Sequence, residues 1–116
     1  MKERLSAVLV AALLSLMFLV SCAGDELTQM KKAHTYYLDS VESSIKDSEL
    51  RAEFSAYADE YKAEVKDTDD IEDVEDSLSD AVFLSFFYLG DEKKLYSIIS
   101  STVKKYPKTY EFFSEL

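Results

Sequence analysis

From Glu26 onward, apolar residues recur at steps of three and four and the polar residues between them fall on the other side, the period of a helix with one buried face. Leu27, Met30, His34, Tyr37, Leu38, Val41 and Ile45 form the first stripe, with Lys31, Asp39, Glu42 and Lys46 outside it, and predict a helix over about 26–46. Asp47 and Ser48 are good N-cap residues, because a short oxygen-bearing side chain can accept from the free N–H groups of a first turn. Leu50, Phe54, Tyr57, Ala58, Tyr61 and Val65 continue the period to about residue 66. Asp67 to Asp70 interrupts it. Thr68 or Asp69 can cap the next helix, and Glu72 stands three residues after Asp69 as in a capping box.

The third stripe runs through Ile71, Val74, Leu78, Ala81 and Val82, then widens at Phe83, Leu84, Phe86, Phe87, Tyr88 and Leu89. A helix that is apolar nearly all round is expected to be buried nearly all round, so Val82 to Leu89 is the segment predicted to lie deepest. Gly90 follows it, where a residue without a Cβ enters the left-handed conformation that ends helices most easily. Asp91 can cap a fourth helix carrying Leu95, Ile98, Ile99, Thr102, Val103 and Tyr106, with Lys104 and Lys105 near its C-terminal carbonyls, where positive charge is favourable. Pro107 has no N–H to continue it. Tyr110, Phe113 and Leu116 fall on one side of a short closing helix within 108–116. No stretch alternates over a strand's length. The expectation is an all-α fold, a small antiparallel bundle of four helices plus a short C-terminal helix, since turns of two to five residues return each helix against its neighbour.

Ahead of the first stripe the pattern changes. Lys2 and Arg4 flank Glu3, and Leu5 to Val20 runs sixteen residues interrupted only by Ser6 and Ser15, short of the roughly 20 needed to span a bilayer. Leu19, Val20 and Ser21 then precede Cys22, the single cysteine. Residues 1–22 resemble the signal peptide and lipobox of bacterial lipoproteins. The resemblance implies that the Cys22 thiol receives a diacylglycerol, that the chain is cut between Ser21 and Cys22, and that in many bacteria the new amine is acylated as well. It divides the chain into a cleaved signal at 1–21, a lipidated cysteine and short tether at 22–25, and a domain at 26–116. The alternatives are an uncleaved anchor and a secreted protein with an incidental thiol. Two or more acyl chains hold a protein at a membrane for long times, so the polypeptide need add nothing. The implied location is the bacterial cell envelope, on the outer membrane if the source has one, with the periplasmic or surface face left open. Asp25 and Glu26 weakly resemble a surface-export signal and read equally well as a solvated linker.

Charge narrows the partners. The chain carries 13 basic and 23 acidic residues, a net charge of −10. Loss of residues 1–21 removes Lys2, Arg4 and Glu3 and leaves 11 basic against 22 acidic, or −11. Such a surface repels nucleic-acid phosphates and anionic headgroups, so nucleic acid is no partner and the membrane is reached through the lipid on Cys22. With Cys22 modified no disulfide can form, and one hydrophobic core must hold a monomeric domain.

Candidate chemistry is sparse. His34 is the sole histidine, so no zinc site or nucleophilic dyad can be completed around it, and its place on the first stripe predicts a core histidine satisfied by a neighbour. Two glycines in the whole chain exclude a glycine-rich phosphate loop. The acidic run Asp67, Asp69, Asp70, Glu72, Asp73, Glu75 and Asp76 fails as a calcium loop: its fifth, sixth and twelfth positions would be Ile71, Glu72 and Leu78. Carboxylates at a helix N-terminus are explained by the helix dipole. The sequence therefore gives no catalytic residue, no metal ligand and no cofactor. The eight tyrosines are bundle-edge packing or an aromatic interface. Tyr36 and Tyr96, beside rather than on their stripes, are the interaction candidates. The expected function is that of a binding or accessory module in the envelope with a protein partner. A carrier of a small apolar ligand between helices is the alternative, and an enzyme ranks last.

Overall fold

The computed structural model describes residues 26–116. The signal segment 1–21, Ser21, Cys22 and the tether to residue 25 lie outside the described residues. Every regular element among the described residues is helical: α1 Glu26–Ser44, α2 Ser48–Val65, α3 Ile71–Leu89, α4 Glu92–Lys105, a 3₁₀ turn Pro107–Thr109, and α5 Tyr110–Ser114.

Local chemistry sets the boundaries. The Asp47 carboxylate accepts from the N–H groups of Glu49 and Leu50 at 2.9 and 3.0 Å and starts α2. Arg51, one turn into α2, folds back so that Nε and Nη2 donate to the carbonyl of Ile45 at 2.8 and 2.6 Å. That cation satisfies an acceptor just beyond the end of α1, where orphan carbonyls and the negative end of the dipole meet. The cap of α3 is Asp70, whose carboxylate accepts from Glu72 N–H at 3.0 Å, rather than Thr68 or Asp69. Thr68 builds the preceding turn: its hydroxyl accepts from Asp70 N–H at 3.1 Å and donates to Asp73 at 2.6 Å. Gly90 has φ 63°, and its N–H donates to Phe86 O at 3.1 Å, a left-handed stop to α3. Asp91 caps α4 through Lys93 N–H at 2.8 Å. Pro107 ends that helix and opens the 3₁₀ turn.

The core gathers around α1, which packs against α2, α3, α4 and the 3₁₀ turn. Ala33, Tyr37, Leu38 and Val41 of α1 are wholly removed from solvent. Phe54 and Ala58 of α2, Val74, Leu78 and Ala81 of α3, Ile98 and Val103 of α4, and Phe113 of α5 close over them. Tyr37 meets Phe113 at a ring separation of 6.0 Å, which ties α5 to the centre. Leu116, expected beside Phe113, is exposed.

The deepest element is α1, and the expectation for Val82 to Leu89 is overturned. Phe83 is 72% exposed, Phe87 68% and Phe86 46%, while Val82, Leu84, Tyr88 and Leu89 are half-buried. The side of α3 that turns inward is Val74, Ser77, Leu78, Ala81 and Ser85. This stripe keeps one helical phase from end to end. Small residues at 77, 81 and 85 let α1 and α3 approach closely, and a phenylalanine in those places would hold them apart.

Candidate functional site

The solvent face of α3 changes chemistry halfway along. Its first half presents Asp73, Asp76 and Asp80, with Glu72 beside them, and its second half presents Phe83 and Phe87, with Phe86 beside them. Spacings of three and four residues put these side chains in one row. The rings of Phe83 and Phe87 meet edge to face at 5.6 Å, and those of Phe86 and Phe87 at 6.3 Å. Each ring thus covers part of its neighbour while its outer surface faces water. With about 150–250 Å² per aromatic side chain, the exposed fractions leave a patch of roughly 300–450 Å², at a size that is often functional on a monomer.

On its other flank α3 is satisfied by α2. Tyr88 packs edge to face on Phe54 at 5.5 Å and near Tyr57 at 6.3 Å, and its hydroxyl donates to Glu53 at 3.3 Å. Slight desolvation, then the charge and hydrogen bond of Glu53, raise the Tyr88 pKa above its usual value.

The two tyrosines singled out by phase are not brought together. Tyr36 is half-buried and stands edge to face with Tyr106 at 5.9 Å, while Lys105 Nζ lies 4.8 Å from the Tyr36 ring centre. With Lys31, Lys32, Thr35 and Asp39 these two tyrosines line an open hollow of about 460 Å³. Asp39 is engaged there by Lys62 at 2.7 Å. Tyr96 is 64% exposed on α4, and at 1.5 Å per residue it sits about 15 Å along that helix from Tyr106. Tyr36 is therefore a packed edge residue and Tyr96 a solvent-facing one.

His34 has no exposed surface, and its Nε2 lies 3.0 Å from Ser77 Oγ. Nδ1 has no partner, so the proton belongs on Nε2, from which it is donated to Ser77, leaving only a lone pair unmatched. Burial pushes the His34 pKa down to about 4, and the positive charge of Lys62 adds to the shift. One turn further along α1, Tyr37 O–H donates to Ser85 Oγ, whose own hydroxyl donates to Val82 O at 2.8 Å. Burial raises the Tyr37 pKa to about 12, partly offset because the Ser85 hydroxyl can turn to donate to the phenolate. Both groups are uncharged parts of the α1–α3 contact at neutral pH.

Compared with known proteins, the chain matches no family model, no curated protein and no solved structure. The second hollow, about 710 Å³ and open, lies between Glu26, Leu27 and the turn Thr68 to Ile71, at the N-terminal end of α1. In the acidic run that enters this turn, Asp70 caps α3 and Asp73 accepts from Thr68. Among the described residues no three histidine, cysteine, aspartate or glutamate side chains come together as a metal-holding group.

Phe83, Phe86 and Phe87 are the candidate surface that hydrophobicity alone concealed. The signal that identifies them is the row of small residues Ser77, Ala81 and Ser85 at four-residue spacing. It marks the packed side of α3 and places the phenylalanines opposite it.

Proposed function

We propose that this protein is a lipoprotein of the bacterial cell envelope, tethered through Cys22, whose acidic helical domain docks a protein partner. The observation that carries the docking reading is the solvent-facing trio Phe83, Phe86 and Phe87 on an otherwise strongly acidic domain. Exposed aromatics of this size cost solubility unless something covers them, and aromatic residues are enriched at interfaces and depleted elsewhere on surfaces. Both hollows are open and bordered by charged residues, which supports docking over enclosure of an apolar ligand. No helix among the described residues is long and apolar enough to cross a membrane. The lipobox resemblance at Leu19 to Cys22 supports a lipid tether. The finer architecture belongs to the same proposal. Tyr61 of α2 feels the charge of Asp80, while Glu53, eight residues earlier, bonds Tyr88, eight residues later, which supports antiparallel packing of α2 and α3 within a four-helix bundle.

The test has two independent arms. Cys22→Ser should abolish metabolic labelling with palmitate and leave an unprocessed precursor, because the thiol is the acceptor on which lipoprotein maturation depends. Normal maturation and unchanged membrane partition of that variant would remove the tether. A photo-crosslinking residue at position 87, in whole cells, should yield a discrete protein adduct, and the same residue at Glu60 should not. Equal labelling at both positions would remove the docking role.

A further inference from the structure

The two halves of the α3 face specify what kind of partner fits. We infer that this face docks an amphipathic helical segment of a protein partner, with apolar side chains over Phe83, Phe86 and Phe87 and lysine or arginine over Asp73, Asp76 and Asp80. The inference rests on the docking role proposed for the phenylalanines and adds the partner's chemistry.

Charge complementarity carries the argument. The sequence of α3 contains no lysine or arginine, and the ion pair present among the described residues joins Lys62 to Asp39, on other helices. Asp76 and Asp80 thus stand on the solvent face with no cation against them. A carboxylate row continued by an apolar patch is matched by a surface that is basic at one end and apolar at the other, and such matching sets both partner choice and register. From Asp73 to Phe87 the face is fifteen residues, or about 21 Å over fourteen rises of 1.5 Å, which asks for a partner helix of about the same length. Its direction is set as well. A helix lying antiparallel to α3 carries its apolar half first and its cations in its last turns, where the helix dipole favours positive charge.

Two other occupants fit less well. A second copy paired along this face would set aspartates against aspartates if the helices ran parallel and aspartates against phenylalanines if antiparallel. Neither arrangement supplies a cation. A bilayer would have to accept the carboxylates along with the rings. Glu26 at the start of α1 also sits beside Thr68 to Ile71, which leaves the phenylalanines about 18–24 Å along α3 from the tethered end.

The experiment uses the full chain in phosphatidylcholine nanodiscs and two synthetic eighteen-residue helical peptides. Both peptides carry leucine on one face of their first half. One has lysine on that face in its last two turns, and the other has glutamate there. Fluorescence anisotropy should show the lysine peptide binding at least tenfold more tightly than the glutamate peptide at low salt, with the difference shrinking as salt screens it. Phe83→Ser/Phe87→Ser should weaken the lysine peptide tenfold or more. Asp73→Asn/Asp76→Asn/Asp80→Asn should remove the preference between peptides, whereas neutralising exposed Glu49, Asp59 and Glu60 of α2 should keep it within twofold. Circular dichroism melts of each variant establish that it is folded. The inference is overturned by equal binding of the two peptides, or by loss of preference in the α2 control as much as in the α3 variant. Phenylalanine-dependent dimerisation in sedimentation, phenylalanine-dependent binding to anionic vesicles, or a position-87 crosslink to residues 1–20 of this chain would also overturn it. A cellular crosslink at position 87 to a protein lacking a basic amphipathic segment would overturn the inference and keep the docking role.

Discussion

His34 Nε2 lies 3.0 Å from the hydroxyl of Ser77, which joins α1 to α3 by a buried polar bond between residues 43 positions apart. Protonation would leave that bond in place but bury a positive charge and an N–H at Nδ1, which has no partner. With a folded pKa of about 4 against 6.5 in the unfolded chain, protons bind the unfolded state first as pH falls. The stability that comes from keeping His34 uncharged is complete above pH 6.5 and is lost as pH drops through 6.5 toward 4. At 1.36 kcal/mol per pKa unit the total is about 3 kcal/mol. Urea denaturation at pH 7.5 and 4.5 should show wild type losing about 2–3 kcal/mol more than His34→Leu, in which the titrating group is gone. Equal losses would mean that the acid sensitivity arises elsewhere.

Exposure separates the phenylalanines into two kinds. Phe54 has no exposed surface and sits in the core, so Phe54→Ala should cost about 3–5 kcal/mol through lost burial and a cavity. Phe83→Ser/Phe87→Ser removes rings that water already reaches and should cost under about 1 kcal/mol, mostly as helix propensity. Thermal melts of the two variants read the contrast directly. A large loss in the double variant would place those rings inside the fold.

Gly90 holds φ 63°, and a Cβ built on it would meet nothing within 4 Å. Gly90→Ala therefore carries the backbone penalty alone, about 1 kcal/mol. For a domain of this size the melting temperature should fall by about 4–8 °C, and Gly90→Asn should recover part of it, since asparagine tolerates the left-handed region better. An unchanged melt in Gly90→Ala would show that α3 can end without that conformation.

Tyr36 and Tyr96 should behave differently when truncated. Tyr36 packs edge to face on Tyr106 and lies under Lys105, and the ring pair and the cation each contribute about 0.5–1.5 kcal/mol. Tyr36→Ala should thus lose about 1–2 kcal/mol, and a double-mutant cycle with Tyr106→Ala should show coupling. Tyr96→Ala, on an exposed ring, should stay within about 0.5 kcal/mol of wild type. Equal effects would erase the distinction between packed edge and free surface.

The helices and most of their ends were legible along the chain, because they depend on near neighbours in it. Asp47 and Asp91 cap where short side chains can reach a first-turn N–H, Gly90 stops α3 because it lacks a Cβ, and Pro107 stops α4 because it lacks a donor. Histidine on the first stripe was legible as a core residue for the same reason: period fixes which side of α1 it occupies. Which side of α3 meets α1 was settled only by packing in three dimensions. From Val82 to Leu89 nearly every position is apolar, so hydrophobicity offers no phase, and burial was expected where exposure is found. The choice fell to shape and hydrogen bonding. Ser77, Ala81 and Ser85 are small enough for close approach, and Ser77 and Ser85 bond His34 and Tyr37 of α1. Once that side is committed, helical geometry turns Phe83 and Phe87 outward. The candidate surface is thus a consequence of contacts made on the opposite side of the same helix, with residues more than forty positions away.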